Sequence, residues 1–537
     1  MLAGTLARQG EYPRPCQIVC QRCRRYNKRS RNIRRNGGDI VPAKTLMLQG
    51  TASSVGKSLL VAGLCRLYAR RGIRVAPFKA QNMSNNAGVT FDGGEIGRAQ
   101  FTQAEACGLA PRVEMNPILL KPEADNRSQV VVLGKPWNIL PADAYYHHRD
   151  ALWTIVTTAL DRLRADVELV IIEGAGSPVE LNLKAGDLVN MPIARYADSP
   201  VLLVGDIDVG GVFAQMLGTL WLLEPEERAL VRGLIVNKFR GDLALFADGV
   251  RILEERGQAP VLGVVPWLHD HGVAEEDAVV LERGQWASAG EGSDIAVVAF
   301  PRIANFDDLD PLRAEQGVQL RLVRSARALG RPDAIILPGT KYTLADLAWL
   351  RQTGLAAEIR ALADHGTAVV GICGGYQMLG QSLADPDGVE AGGTAEGLRL
   401  LPTTVTFRRK KETWQVQAQH CGTLPWLEPA ATLTGYEIHA GEVETPSPLL
   451  LLQRANGEFA YDGAATANGQ VWGTHLHGLF HNAVLRRSWL RSIGWQPVTA
   501  ENAAASGDPM AAYDRLADAL EAALDIPQLD AIINLPA

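Results

Sequence analysis

Two short stretches of the chain bring together residue types whose order suits chemistry. In GICGGYQMLG, Cys373 follows the apolar run TAVVGI and precedes a helical pattern, with Gly371 and Gly375 on either side. A strand that turns sharply into a helix lifts a nucleophile out of a sheet, and glycines at the turn permit both the bend and close approach of a substrate. The helix N-terminus favours a thiolate. The amide of Gly374, next to the nucleophile, suits a tetrahedral oxyanion, with a second donor expected at Gly339 in ILPGTK. The other stretch is GTASSVGKS, where Gly50, Gly56, Lys57 and Ser58 form G-x5-G-K-S between a strand and a helix. Backbone amides in such a loop cradle phosphates, Lys57 reaches the β and γ oxygens, and the Ser58 hydroxyl ligates Mg²⁺. The spacing is one residue longer than in the usual phosphate loop.

Each stretch needs partners. A cysteine hydrolase requires a general base, and His475 and His477 in VWGTHLHGLF and His439 in GYEIHAGE are the candidates. In an extended segment residues i and i+2 share a face, so spacing leaves these open. On the nucleotide side, Glu173 ends the buried strand pattern of VIIEGAGS, where a carboxylate is costly unless a metal or cation accompanies it. Asp206 and Asp208 in VGDIDVGG raise the same question at the next strand. Ser58, Glu173 and Asp206 are therefore the expected Mg²⁺ ligands.

The elements that must position these residues read as two α/β blocks. A chain of 537 residues exceeds what one core organises. KTLMLQG, the loop, LLVAGLCRLYARRG and RVAPFKA form a strand-helix-strand unit, which implies a parallel sheet. VELVIIEGAGS, SPVLLVGDIDVGG, VRGLIVNKFRGD and APVLGVVPW continue it, each ending in glycine or a polar residue where a doubly wound sheet opens its ligand crevice. WASAGEGSD has the make-up of a linker. DIAVVAFPRIANFDD, PDAIILPGTKYT, AVVGICGGYQMLG and GQVWGTHLHGLF begin and fill a second block, and DPMAAYDRLADALEAALDIPQLDAII predicts a packed C-terminal helix. The expected organisation is a basic tail over 1–43, a phosphate-loop domain over 44–285, a linker over 286–293, a cysteine-elbow domain over 294–490 and a helical extension over 491–537.

Composition bounds the reading. With 47% hydrophobic and 21% charged residues and a net charge of −6, the chain is ordinary for a soluble enzyme and gives no reason to expect a nucleic-acid partner. No apolar run approaches the roughly 18 to 20 residues of a spanning helix, so a cytoplasmic location is expected. Residues 1–40 hold ten Arg or Lys against Glu11 and Asp39, which predicts a disordered tail and fits an early assignment of the start. Cys16, Cys20 and Cys23 in that tail have a spacing that suits part of an iron-sulfur cluster, but without surrounding strand-helix units they read as free thiols.

The longer phosphate loop resembles that of dethiobiotin synthetase and its relatives, which use ATP to activate carboxylates. That resemblance implies that Lys79 lies beside the transferred phosphate and that Asn237, in IVNKFRGD, sits where related ATPases recognise the base, although a turn asparagine reads equally well there. FKAQNMSNNAGVTFDGGEIGRAQ, MNPILLKP, VIIEGAGSPVE, GDIDVGGVFAQ, NKFRGD, LPGTK, GICGGYQMLG, GYEIHAGE and HGLF, in this order from Lys44 onward, together resemble the cobyric acid synthase family. The resemblance implies a P-loop synthetase domain followed by a flavodoxin-like glutaminase domain, both doubly wound. It also implies use of ATP, Mg²⁺ and glutamine, and a corrinoid acceptor amidated at its b, d, e and g carboxylates. Within it the nucleophile is Cys373 and the base is His477. Leu479 stands where better-known glutaminases of this class carry a glutamate, so a Cys-His dyad is expected, with Glu437 as a speculative support for the imidazole. The alternatives are cobyrinic acid a,c-diamide synthase and a partition-type ATPase with a degenerate glutaminase.

Overall fold

Six strands with buried, branched side chains build the first sheet: β1 (Lys44–Gly50), β2 (Val75–Phe78), β3 (Leu169–Glu173), β4 (Val201–Asp206), β5 (Val231–Phe239) and β6 (Val261–Pro266). In the computed structural model they pair in the order β6-β5-β4-β1-β3-β2, every pair parallel. The structure describes residues 42–535 except 125–126, 142–143, 146, 269–270, 274–291, 391, 423 and 498–508. Nearly all of the basic tail and of the linker expected at 286–293 lies outside the described residues.

The central position of β1 puts the phosphate loop at the C-terminal edge of the sheet, where α1 (Lys57–Arg70) begins. Its inward side chains, Leu60, Val61, Leu64 and Leu67, are fully buried against the sheet. Between β2 and β3 the chain makes an excursion that period-based reading did not separate from loop. It contains α2 (Arg98–Ala106) and a four-stranded sheet of Gln81–Met83, Ile118–Ala124, Arg127–Val132 and Lys135–Pro141.

The second domain repeats the parallel plan with β7 (Ser293–Val298), β8 (Val318–Val323), β9 (Ala334–Leu337), β10 (Ala368–Ile372) and β11 (Val471–Thr474), ordered β8-β7-β9-β10-β11. A further sheet, dominated by the long antiparallel pair Thr404–His420 and Thr432–Glu444, was not foreseen. Its strands alternate between buried and exposed positions only intermittently, because both faces meet protein in places. Among the described residues no helix is long and apolar enough to cross a membrane.

The C-terminal extension forms two helices, α3 (Pro509–Ala523) and α4 (Ile526–Ile533). They return to the first domain, and Leu516, Leu520, Leu529 and Ile533 join its core beside Leu60 and Leu64. Gly63 of α1 lets the helices approach closely, since a Cβ there would stand 2.4 Å from a methyl of Leu520 and force that side chain to shift.

Candidate active sites

Cys373 ends β10 with φ 51° and ψ −111°, a conformation that side-chain-bearing residues rarely adopt. The glycines make this bend possible. A Cβ on Gly375 would fall 1.9 Å from the Leu337 carbonyl oxygen, and one on Gly371 would fall 2.5 Å from the Cα of Tyr376. The thiol is buried, and burial alone raises its pKa. The neighbouring His477 ring and the Gly374 amide outweigh that and bring it below the ordinary thiol value.

His477 is fixed from three sides. Its backbone exchanges hydrogen bonds with Tyr436, at 2.8 and 3.1 Å, and the Tyr436 ring stacks on the imidazole at 5.2 Å. Its Nδ1 lies 2.6 Å from Asp308 Oδ2, while Asp308 Oδ1 accepts the Gly478 amide at 2.6 Å. Burial opposes the imidazolium, but Asp308 and the Cys373 sulfur override it and push the His477 pKa up to about 10. A buried thiolate-imidazolium pair oriented by a carboxylate is the arrangement of a charged, ready nucleophile.

The other two histidines are engaged elsewhere. His475 Nδ1 contacts Asp462 at 2.8 Å and its Nε2 meets the Gln377 amide at 3.0 Å. His439 stacks on His475 with centroids 3.8 Å apart and contacts Gly441 and Glu437. Glu437 therefore does not support the catalytic candidate as expected. It lies 3.3 Å from His439 and bonds Arg454, and Asp308 has the place facing His477. Gly339 lies against the same ring, since a Cβ there would be 3.0 Å from His477 Cε1, and Thr340 N is 3.3 Å from where a Gly374 Cβ would stand.

At the other sheet, Lys57 Nζ donates to the carbonyls of Ala52 (2.9 Å) and Gly176 (3.2 Å). Gly56 takes φ 97°, a left-handed turn open to glycine. Glu173 collects four donors: Ser58 Oγ at 2.8 Å, Lys79 Nζ at 2.7 Å, Gln103 Nε2 at 2.6 Å and Gln100 Nε2 at 3.3 Å. Burial would raise its pKa, yet Lys79 and these hydrogen bonds hold it below the usual carboxylate range. The donor set fits a hard divalent cation: a hydroxyl and an ionised carboxylate in contact, with the buried Gln103 Oε1 beside them lacking a hydrogen-bond partner. Asp206 does not join this cluster. It pairs with Lys238 at 2.8 Å and accepts the Asp208 amide at 2.9 Å, while Asp208 pairs with Arg240. Asn237 braces the loop instead of opening toward a base, its amide donating to the Val55 carbonyl at 2.8 Å and filling the space beside Gly56.

Comparison with known proteins agrees with both halves. Residues 46–278 match the CobQ/CobB/MinD/ParA nucleotide binding domain and residues 294–484 the CobB/CobQ-like glutamine amidotransferase domain. Cobyric acid synthase of Chloroflexus aurantiacus is 55% identical over 500 residues, covering 92% of this chain and 99% of that protein. The Herpetosiphon aurantiacus protein of the same name is 54% identical, covering 90% and 97%. The chain belongs to the cobyric acid synthase family.

In this member of the cobyric acid synthase family, α2 stands between the two sites. Gln100 and Gln103 on it reach Glu173, and Arg98 at its start pairs with Asp307 of the second domain at 2.9 Å. Alongside, Asn86 Oδ1 accepts the Asn305 amide at 2.6 Å, and Asn305 Nδ2 lies 3.4 Å from His477 Nε2. The residues missed by pattern are thus Asp308, Asn305, Gln100 and Gln103. A pair of acids closing the apolar run at ANFDD was the one available signal for Asp308; amides on a short helix give none.

Proposed function

We propose that the chain converts adenosylcobyrinic acid a,c-diamide to adenosylcobyric acid, amidating the b, d, e and g carboxylates with glutamine nitrogen at the expense of ATP. The Cys373 thiolate attacks the glutamine side-chain amide. The C–N bond of the tetrahedral adduct breaks as His477 delivers its proton to the departing ammonia, with Asp308 holding the imidazole. Gly374 N–H, with an amide at Gly339 or Thr340, serves the oxyanion. Water, deprotonated by His477, then hydrolyses the thioester to glutamate.

In the first domain, the loop from Gly50 to Gly56 holds the triphosphate, and Lys57 exchanges its carbonyl partners for phosphate oxygens. Lys79 lies close enough to accompany the γ-phosphoryl group as it passes to the acceptor carboxylate. Ser58 and Glu173 would hold Mg²⁺, which when bound neutralises phosphate charge. Asp206 reaches that ion only by releasing Lys238, so we assign it a secondary part, and Asn237 shapes the loop. Ammonia attacks the resulting acyl phosphate, and orthophosphate leaves.

The observation that carries this reading is the Cys373-His477-Asp308 array in one chain with the Ser58-Glu173-Lys79 cluster, which together supply what a glutamine-dependent ligase needs. Mass spectrometry after incubation with adenosylcobyrinic acid a,c-diamide, ATP, Mg²⁺ and glutamine tests it. Four carboxyl-to-amide conversions, each matched by one ADP and one glutamate, are expected. ATP turnover that ignores both glutamine and corrinoid would sink the proposal.

A further inference from the structure

Beside the nucleotide site lies a cavity of about 330 Å³ that none of the steps above has used. Its floor is one face of the four-stranded sheet of the excursion. The register Met83 to Leu120 to Val130, and Pro122 to Ser128 to Leu140, puts these six side chains on the same side. The facing wall is the segment 175–190 that follows β3. Asn190 holds the base of that wall, accepting the Ala175 amide at 3.1 Å and donating to the Ala175 carbonyl at 2.8 Å.

Position and composition both bear on what the cavity takes. Ala175 and Ser177 line it, and the residue between them, Gly176, carries the carbonyl that meets Lys57 Nζ. One wall of the cavity therefore runs directly into the turn that meets the phosphate-loop lysine. Among the lining residues, Met83 and Leu183 are 60% and 45% exposed, so the cavity offers apolar surface to solvent. Arg127 and Lys184 supply positive charge, Glu180 and Asp187 negative.

We infer that this cavity is the acceptor seat, receiving one edge of a flat, apolar macrocycle that carries peripheral carboxylates and presenting one carboxylate at a time beside Lys57. The inference rests on the ligase reading above and gives it a location. The volume is at the small end for ligand pockets, enough for an edge and its side chain and too small for a whole corrin ring. The apolar floor explains how one site serves four carboxylates. Directional hydrogen bonds to a single pose would reject the other three, whereas an apolar face lets the same ring return in a rotated pose.

The test is equilibrium binding of cobyrinic acid a,c-diamide to the full chain, read by tryptophan quenching, for wild type, Met83→Glu and Leu183→Glu. Leu245→Glu, 86% exposed and outside the cavity, is the control. Both cavity positions are exposed, so the fold tolerates the charge. Each cavity variant is expected to weaken corrinoid binding about tenfold or more, with ATP binding and glutaminase turnover unchanged and the control like wild type. Equal affinities in a wild type that amidates the corrinoid would place the seat elsewhere. A control weakened as much as the cavity variants would also overturn it, by making the effect one of net charge. A wild type that neither binds nor amidates the corrinoid would remove the ligase reading itself.

Discussion

The two sites of this chain differ in what their reactive groups already touch. In the glutaminase half the His477 ring that lowers the Cys373 thiol pKa is held by Asp308 at 2.6 Å, so nucleophile, base and orienting carboxylate already stand together. In the nucleotide half the cations are bonded to groups that phosphate must displace: Lys57 to two carbonyls, Lys79 to Glu173, Lys238 to Asp206. A covalent site gains from a fixed array, because misplacement of the nucleophile costs rate directly. A phosphate site keeps its charges satisfied by exchangeable partners, because unpaired buried lysines would be costly. Substitutions should therefore act all-or-none in the first site and by degrees in the second.

The sharpest break is Cys373→Ala. Glutamine-supported amide synthesis is expected to vanish while high ammonium still supports it, measured as corrinoid product formed from each nitrogen source. Next is His477→Asn, expected to cut glutaminase turnover by about 10² to 10⁴ and to spare ammonium-dependent synthesis. His475→Ala and His439→Ala should instead lower the melting temperature more than the rate, since each leaves a buried acid, Asp462 or Glu437, short of a partner. If one of those two is the silent enzyme, the assignment of the base is wrong. Lys57→Ala is expected to lower both glutamine- and ammonium-supported synthesis by roughly 10²-fold, leaving basal glutaminase activity in place.

Asp308→Asn sharpens the comparison through pH. Asp308 raises the His477 pKa, so removing its charge lowers that pKa. The proton that His477 gives to ammonia is then lost at lower pH, and the alkaline limb of glutaminase kcat/KM moves down from near 10. An unmoved limb would show that Asp308 serves the fold alone. The smallest expected effect is deletion of residues 1–40, which should leave both activities and the melting temperature nearly as they are; loss of activity or of bound iron would reopen the cysteine spacing in that tail.

Much of this was legible because it is local. The phosphate loop and the cysteine elbow are written in consecutive residues, and most of the parallel strands read as short apolar runs ending in glycine or a polar residue, whereas Val318–Val323, with Gln319 and Arg321 inside it, did not. What was not legible depends on contacts across hundreds of positions. Asp308 meets a histidine 169 residues away, and only the fold makes it the partner in place of Glu437, which is nearer in sequence. Asp206 and Asn237 show the reverse case. Each stands at the expected strand end, yet a neighbouring lysine or carbonyl, invisible in the pattern, occupies its polar atoms. The Thr404–His420 and Thr432–Glu444 pair went unseen because its alternation is irregular, broken by a register shift between Phe407 and Glu412.

The return of α3 and α4 to the first domain has a consequence for how the protein is made. Arg66 and Arg70 on α1 and Arg71 just after it pair with Asp514, Asp518 and Asp530, and the Asp525 amide donates to the Leu262 carbonyl at 2.7 Å. The apolar face of α1 is covered by residues translated after the glutaminase half. While the ribosome is still adding the glutaminase half, the domain synthesised first stands with Leu60, Leu64 and their neighbours lacking that cover, so its folding cannot finish in the order of its synthesis. A nascent chain stalled before Pro509 should accordingly hold chaperones on its first domain, and release from them should await the helices Pro509–Ala523 and Ile526–Ile533.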